Sequence, residues 1–188
     1  MKITKKFLQS KNACSSSYKW VVENNLIGLE HPEFIAKLME NNRFSDANWL
    51  ITKLFDKMQS VKYAVFAAEQ VLNIYEKKYP KDDRPGLAIE TAKKYLENPN
   101  AKTAYAARAY AEATAAAAYV AYAAAADATY AAADATAAAA YAAAAADDAA
   151  YAADAAAYAA RAGAAVGAAA GDIKTSIINF GLELLKCQ

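Results

Sequence analysis

This 188-residue chain holds few groups able to do chemistry and few able to break a helix. Its two cysteines, Cys14 and Cys187, stand at opposite ends of the sequence. They make no disulfide framework and suit a reducing cytosol. The single histidine, His31, directly precedes Pro32, where a capping or surface role outweighs general-base work. Neither a phosphate-binding P-loop nor a dinucleotide-binding glycine pattern occurs, and no Cys, His and Asp residues fall at metal-ligand spacing. Ser15-Ser16-Ser17 has no base beside it and reads as a helix cap. These absences point away from an enzyme: no catalytic residue, cofactor or metal ligand is expected.

Proline is missing from residues 101–170, and acidic and basic groups nearly cancel, with 20 and 21 over the chain. Such a balance gives no strong field for nucleic acid. Residues 1–100 are mildly basic, with 16 cationic and 12 anionic groups, and residues 101–171 mildly acidic, with 3 and 6. No apolar run of signal-peptide length precedes Lys11. The alanine-rich stretch does not read as a membrane span either. Asp127, Asp134, Asp147, Asp148, Asp154 and Arg161 recur too often for a hydrocarbon-facing helix. A cytoplasmic protein is expected.

What is present is alanine. Residues 101–170 are about two-thirds alanine, broken mainly by Tyr, Asp and Thr. Alanine is the best helix former because it loses no side-chain entropy and hides no polar group. One continuous helix of that length would run about 105 Å at 1.5 Å per residue. Folding back is expected instead, with breaks near Asp127 and Asp147, because aspartate favours N-caps. Asp127, Asp134 and Asp148 share one heptad phase with Tyr141, while Tyr130, Tyr151 and Tyr158 share another. A narrow polar stripe flanked by tyrosines leaves the rest of the surface smooth enough for close helix packing. Asp147, Asp148 and Asp154 read as a solvated face rather than a cation site.

The first hundred residues read as short amphipathic helices. One opens at Phe7 and ends near Asn12. A second carries Tyr18, Trp20, Val21 and Val22 and stops at Asn24-Asn25. A third spans residues 32–41, with Pro32 in its first turn, where a missing N–H costs nothing. Ser45 is the expected N-cap of a fourth, and one longer helix is expected over residues 60–75. Pro80-Lys81-Asp82-Asp83-Arg84-Pro85 is a turn in which Asp82 or Asp83 caps the next helix, which reaches Asn98-Pro99. Asp172 is the expected cap of a last amphipathic helix that docks on the amino-terminal ones. No β-type alternation appears. The fold class is therefore all-α, a multi-helix bundle or helical array with closely packed alanine-rich helices. The expected organisation is one domain: short helices over 1–100, alanine-rich helices over 101–171 and a docking helix over 172–188.

Thirteen tyrosines are many for this length. Tyrosine anchors interfaces because it buries area yet keeps a hydrogen-bonding end; in an alanine helix it can equally fill the gaps alanine leaves. Asp82-Asp83-Arg84-Pro85 is similarly two-sided, a capped turn or part of a recognition surface.

Three segments resemble a known family. They are Lys11-Asn12-Ala13-Cys14 followed by Tyr18-Lys19-Trp20; the run from Ala67 to Glu76; and Asp83-Arg84-Pro85-Gly86-Leu87-Ala88-Ile89-Glu90-Thr91-Ala92 with the alanine-rich tail after it. The family is the immunity protein family five-like group, all-α immunity proteins of bacterial polymorphic toxin systems. Gly86 departs from its pattern, which takes a larger and often basic residue there. The resemblance implies a non-catalytic protein that binds and neutralises a cognate toxin by occlusion. Tyr18, Trp20, Arg84, Tyr130, Tyr141 and Tyr151 are the expected contact residues. Another class remains open: a nucleotide-signal binder or sponge in phage–host conflict, with a tyrosine-lined groove and Lys93, Lys94 and Arg108 holding phosphate. An ice-binding helix is disfavoured, since the eleven-residue step from Thr103 to Thr114 fails at Thr129 and Thr136.

Overall fold

A computed structural model describes residues 1–107, 109, 138, 141, 142 and 170–186. The described chain is all-α. Its helices are α1 Lys5–Ser10, α2 Ser15–Glu23, α3 His31–Glu40, α4 Phe44–Leu54, α5 Lys57–Glu69, α6 Leu72–Lys78, α7 Arg84–Glu97 and α8 Ala170–Lys186. Residues 101–107 are also helical. The expected breaks near Asp127 and Asp147 lie outside the described residues.

The first three helices end alike. Asn12, Asn25 and Asn42 each adopt φ 57°, a left-handed conformation asparagine tolerates better than most residues. In each case the following N–H reaches back to a carbonyl five residues earlier. Ala13 donates to Leu8 at 2.9 Å, Leu26 to Val21 at 3.1 Å and Arg43 to Leu38 at 2.8 Å. These are Schellman closures, and they satisfy helix-end carbonyls otherwise left without donors. The chain thus turns sharply three times and draws α1, α2, α3 and α4 around a shared centre.

Several helix starts differ from the sequence expectation. Phe44 is already helical with Arg43 at the cap position, so Ser45 lies inside the first turn rather than capping it. The closure that ends α3 leaves Arg43 as the sole residue between Asn42 and α4. Residues 60–75 form not one helix but two. Asp56, not Ser60, starts α5 through a capping box: its Oδ1 accepts the Gln59 N–H at 2.8 Å, and Gln59 Oε1 accepts the Asp56 N–H at 2.9 Å. Ser60 sits within α5 and donates to the Asp56 carbonyl at 2.8 Å. The break falls at Gln70 and Val71, with no glycine or proline to mark it. It lets both Val71 and Tyr75 bury almost completely. Cys14 rather than a serine occupies the cap position of α2. Asp83 holds that position for α7 without a side-chain bond, while the Asp82 carboxylate accepts the Arg84 N–H at 3.3 Å. Asp172 is part of α8, not its cap.

Helix α5 is central, packing against α6, α7 and α8, while α4 packs against α3 and α8. Phe66 and Phe180 stack with centroids 4.1 Å apart. Gln59 Nε2 donates to the Leu184 carbonyl at 2.8 Å, so one side chain caps α5 and also satisfies the far end of α8. Ile177, Ile178 and Leu185 of α8 are buried in the core. From the alanine-rich stretch, Ala104, Ala107, Ala138 and Ala142 all join the same core. Among the described residues no helix is long and apolar enough to cross a membrane.

Candidate functional site

The three Schellman closures also build a cavity. Leu8, Val21 and Leu38, whose carbonyls close α1, α2 and α3, all line a half-open space of about 240 Å³. Phe34 and Leu50 complete its buried apolar part, and the half-buried rings of Tyr18 and Trp49 line it as well. The polar lining is Asn12, Cys14, Ser17, Ser45 and Asp46.

Around Asp46 the polar groups form a network. Its Oδ1 accepts the Ser17 hydroxyl at 2.7 Å, and its Oδ2 lies 2.5 Å from Arg43 Nε. Arg43 Nη2 donates to Ser17 Oγ at 3.2 Å, and the guanidinium sits 4.4 Å from the centroid of the Trp20 ring. An arginine over an indole gains from the ring's negative face. The Cys14 thiol donates to Ser17 Oγ at 3.0 Å. Hydrogen bonds with Ser17 and then Ser16 hold the Cys14 pKa below that of an ordinary thiol, outweighing slight burial and the charge of Asp46. The single carboxylate is neutralised by the single guanidinium. What the site offers is shape, aromatic surface and a charge-balanced rim, suited to binding.

A second polar node joins α6 to α7. Arg84 donates from Nε to Asp82 Oδ1 at 2.8 Å, and its Nη2 lies 2.5 Å from Oδ2. Tyr75 donates its hydroxyl to the same carboxylate at 2.7 Å. The Arg84 hydrogen bonds, aided by Tyr75, pull the Asp82 pKa down to about 2. Burial first, then the bond to Asp82, pushes the Tyr75 pKa up.

Of the expected contact residues, Tyr18 lines the cavity and Trp20 stands on the same helix over Arg43. Arg84 belongs to the α6–α7 node. Tyr141 is half-buried, and Tyr130 and Tyr151 lie outside the described residues. For the nucleotide alternative, Lys93 pairs with Glu69 and Lys94 with Glu90, while Arg108 lies outside the described residues. Among the described residues no three His, Cys, Asp or Glu side chains gather as metal ligands. Sequence reasoning passed over Arg43, Asp46 and Trp49. The three-residue spacing from Arg43, at the cap, to Asp46, in the first turn of α4, was a signal for the ion pair; nothing local placed Ser17 or Trp20 beside it.

Two family models match the chain. The one described as Imm-5 like putative immunity protein covers residues 50–175, about two-thirds of the sequence. The other, the YdhT N-terminal domain, covers residues 1–58 and so spans every residue lining the cavity. No curated protein and no solved structure matches.

Proposed function

We propose that this chain, which belongs to the Imm-5 like putative immunity protein family, binds a cognate toxin in the cytoplasm and neutralises it by occlusion, without catalysis. Family membership is the observation that carries this conclusion. The contact surface comprises Tyr18, Trp20 and Arg84, with Tyr130, Tyr141 and Tyr151 contributed by the alanine-rich stretch. Trp, Tyr and Arg are the residue types that most often dominate interface energetics. Two of them are held in place before any partner arrives. Asp82 grips the Arg84 guanidinium, and Arg43 stacks on Trp20. Ordering paid in advance lowers the entropic cost of association. The chain acts as a single all-α unit in which a carboxy-terminal helix braces the amino-terminal ones.

The test is direct. The tagged chain is isolated from its native host, and the protein that elutes in stoichiometric amount is identified and assayed with and without an excess of the chain. Loss of the partner's toxicity in cells and of its activity in vitro is expected. A partner that stays fully active at saturating chain would refute neutralisation.

A further inference from the structure

We infer that the amino-terminal cavity receives an aromatic side chain from an acidic segment of the toxin, an assignment that rests on toxin binding as proposed above. Size and lining give the first half of the argument. An apolar cavity of about 150 Å³ accepts benzene. The cavity here is about 240 Å³, enough for one ring and the carbon that tethers it. Leu8, Phe34 and Leu38 supply apolar contact, and Tyr18 and Trp49 supply ring surfaces against which a third ring packs edge-on or offset. The carboxylate at the rim, Asp46, is already matched by Arg43, so the cavity itself favours an uncharged group.

The charge carried by the amino-terminal segment gives the second half. Residues 1–22 contain Lys2, Lys5, Lys6, Lys11 and Lys19 and no acidic residue. Lys19 is paired with Glu23. Lys5, Lys6 and Lys11 are exposed and make no ion pair among the described residues. They lie on α1 and its end, the element that contributes Leu8, Asn12 and Ala13 to the cavity lining. Lys11 adjoins the lining residue Asn12, and Lys5 and Lys6 share α1 with the lining residue Leu8, so a segment seated in the cavity meets a lysine-bearing element. At 0.1 M salt, charges act over roughly 10 Å, so carboxylates beside the anchor would be attracted and ammonium groups repelled. The lining falls within residues 8–50, all of it but Leu50 ahead of the segment matched by the immunity family. The amino-terminal region thus adds a contact of its own chemistry to the family surface.

The probe is an end-blocked pentapeptide with phenylalanine between two pairs of acidic residues. It is titrated against the full chain, with chemical shifts and tryptophan fluorescence as readouts. Saturable binding is expected, with shifts centred on Tyr18 and Trp49. Replacing the central phenylalanine by alanine, or the four acids by lysines, should each weaken binding at least tenfold. Raising salt from 50 to 500 mM should weaken it several-fold, as should the combined change Lys5→Glu, Lys6→Glu and Lys11→Glu. Absence of saturable binding overturns the assignment, as does equal binding of the alanine or the lysine peptide. Because the toxin is not needed, the two ideas fail separately. A peptide that does not bind while the toxin still does removes only the cavity. A peptide that binds while no toxin is neutralised removes only the proposed function.

Discussion

The Tyr63 hydroxyl donates to Asn48 Oδ1 at 3.0 Å in the interior, where both residues are almost wholly buried. This bond ties α5 to α4 at the level where α8 packs on both. Burial alone drives the Tyr63 pKa upward, so the phenol stays a donor at any physiological pH. Tyr63→Phe keeps the packed ring and removes only the donor. Its expected cost is about 1–3 kcal/mol, the penalty of leaving a buried acceptor without that partner. Adding Asn48→Leu should cost less than the two single changes together, because the pair is coupled. Urea unfolding of the four variants gives the coupling energy directly; strict additivity would contradict it.

Two glycines in helices should respond oppositely to alanine. A Cβ on Gly181 would stand 2.9 Å from both Ile51 Cγ2 and Tyr63 Cε2, in the contact between α8 and the α4–α5 pair. Helix propensity favours alanine by about 1 kcal/mol, but overpacking a core contact costs about 1–3 kcal/mol. Gly181→Ala is therefore expected to lower Tm. At Gly86 the nearest atom to a Cβ is Glu76 Oε1 at 3.7 Å, an ordinary contact. Gly86→Ala should stabilise by about 0.5–1 kcal/mol, and Gly86→Lys should keep that gain by adding charge opposite Glu76. Thermal melts of the three variants decide both signs.

Acid should expose the α6–α7 node. The Asp82 carboxylate has a pKa lowered to about 2, so its contribution is complete above the ordinary carboxylate range and disappears as pH falls from about 4 to about 2. Solvent reaches both partners, so the contribution is discounted to about 1 kcal/mol. Asp82→Asn should be less stable than the parent by that amount at pH 7 and converge with it near pH 2. A gap unchanged across that range would mean that the charge on Asp82 contributes nothing.

Local rules made some of this architecture readable in advance. Asn12, Asn24-Asn25 and Asn41 marked three helix ends in the sequence, and the residues that take positive φ there are Asn12, Asn25 and Asn42. Apolar spacing on α8 marked the face that buries Ile177, Ile178 and Leu185. The start of α4 was hidden because its cap position falls to Arg43, a residue with no capping propensity, once the preceding closure has used up the turn. The split between α5 and α6 was hidden for a different reason. Nothing in Glu69-Gln70-Val71-Leu72 disfavours helix strongly, and burial of Val71 and Tyr75 overrides propensity there. At the candidate site, Tyr18 and Trp20 were legible as neighbours on one helix. Their setting was not, since Arg43 and Asp46 reach Ser17 across 26 and 29 residues of sequence.

Trp20 offers the sharpest separation of binding from folding. Its ring is partly buried against the core and carries the Arg43 guanidinium, a contact worth about 0.5–1 kcal/mol at an exposed site and more where water is excluded. Trp20→Phe keeps an aromatic face under the guanidinium and should lower stability by no more than about 1 kcal/mol. Interface anchors of this type typically cost 2 kcal/mol or more on truncation, about 30-fold in Kd. Trp20→Ala should therefore weaken toxin binding at least 30-fold while the chain still unfolds in one cooperative transition, and Trp20→Phe should recover most of that loss. Arg43→Leu removes the cation but leaves the ring, and it also leaves Asp46 without its counter-charge. If the ring itself contacts the toxin, Arg43→Leu should weaken binding less than Trp20→Ala does. Calorimetric titration of the toxin into each variant ranks the three. A larger loss for Arg43→Leu than for Trp20→Ala would move the contact from the indole to the guanidinium.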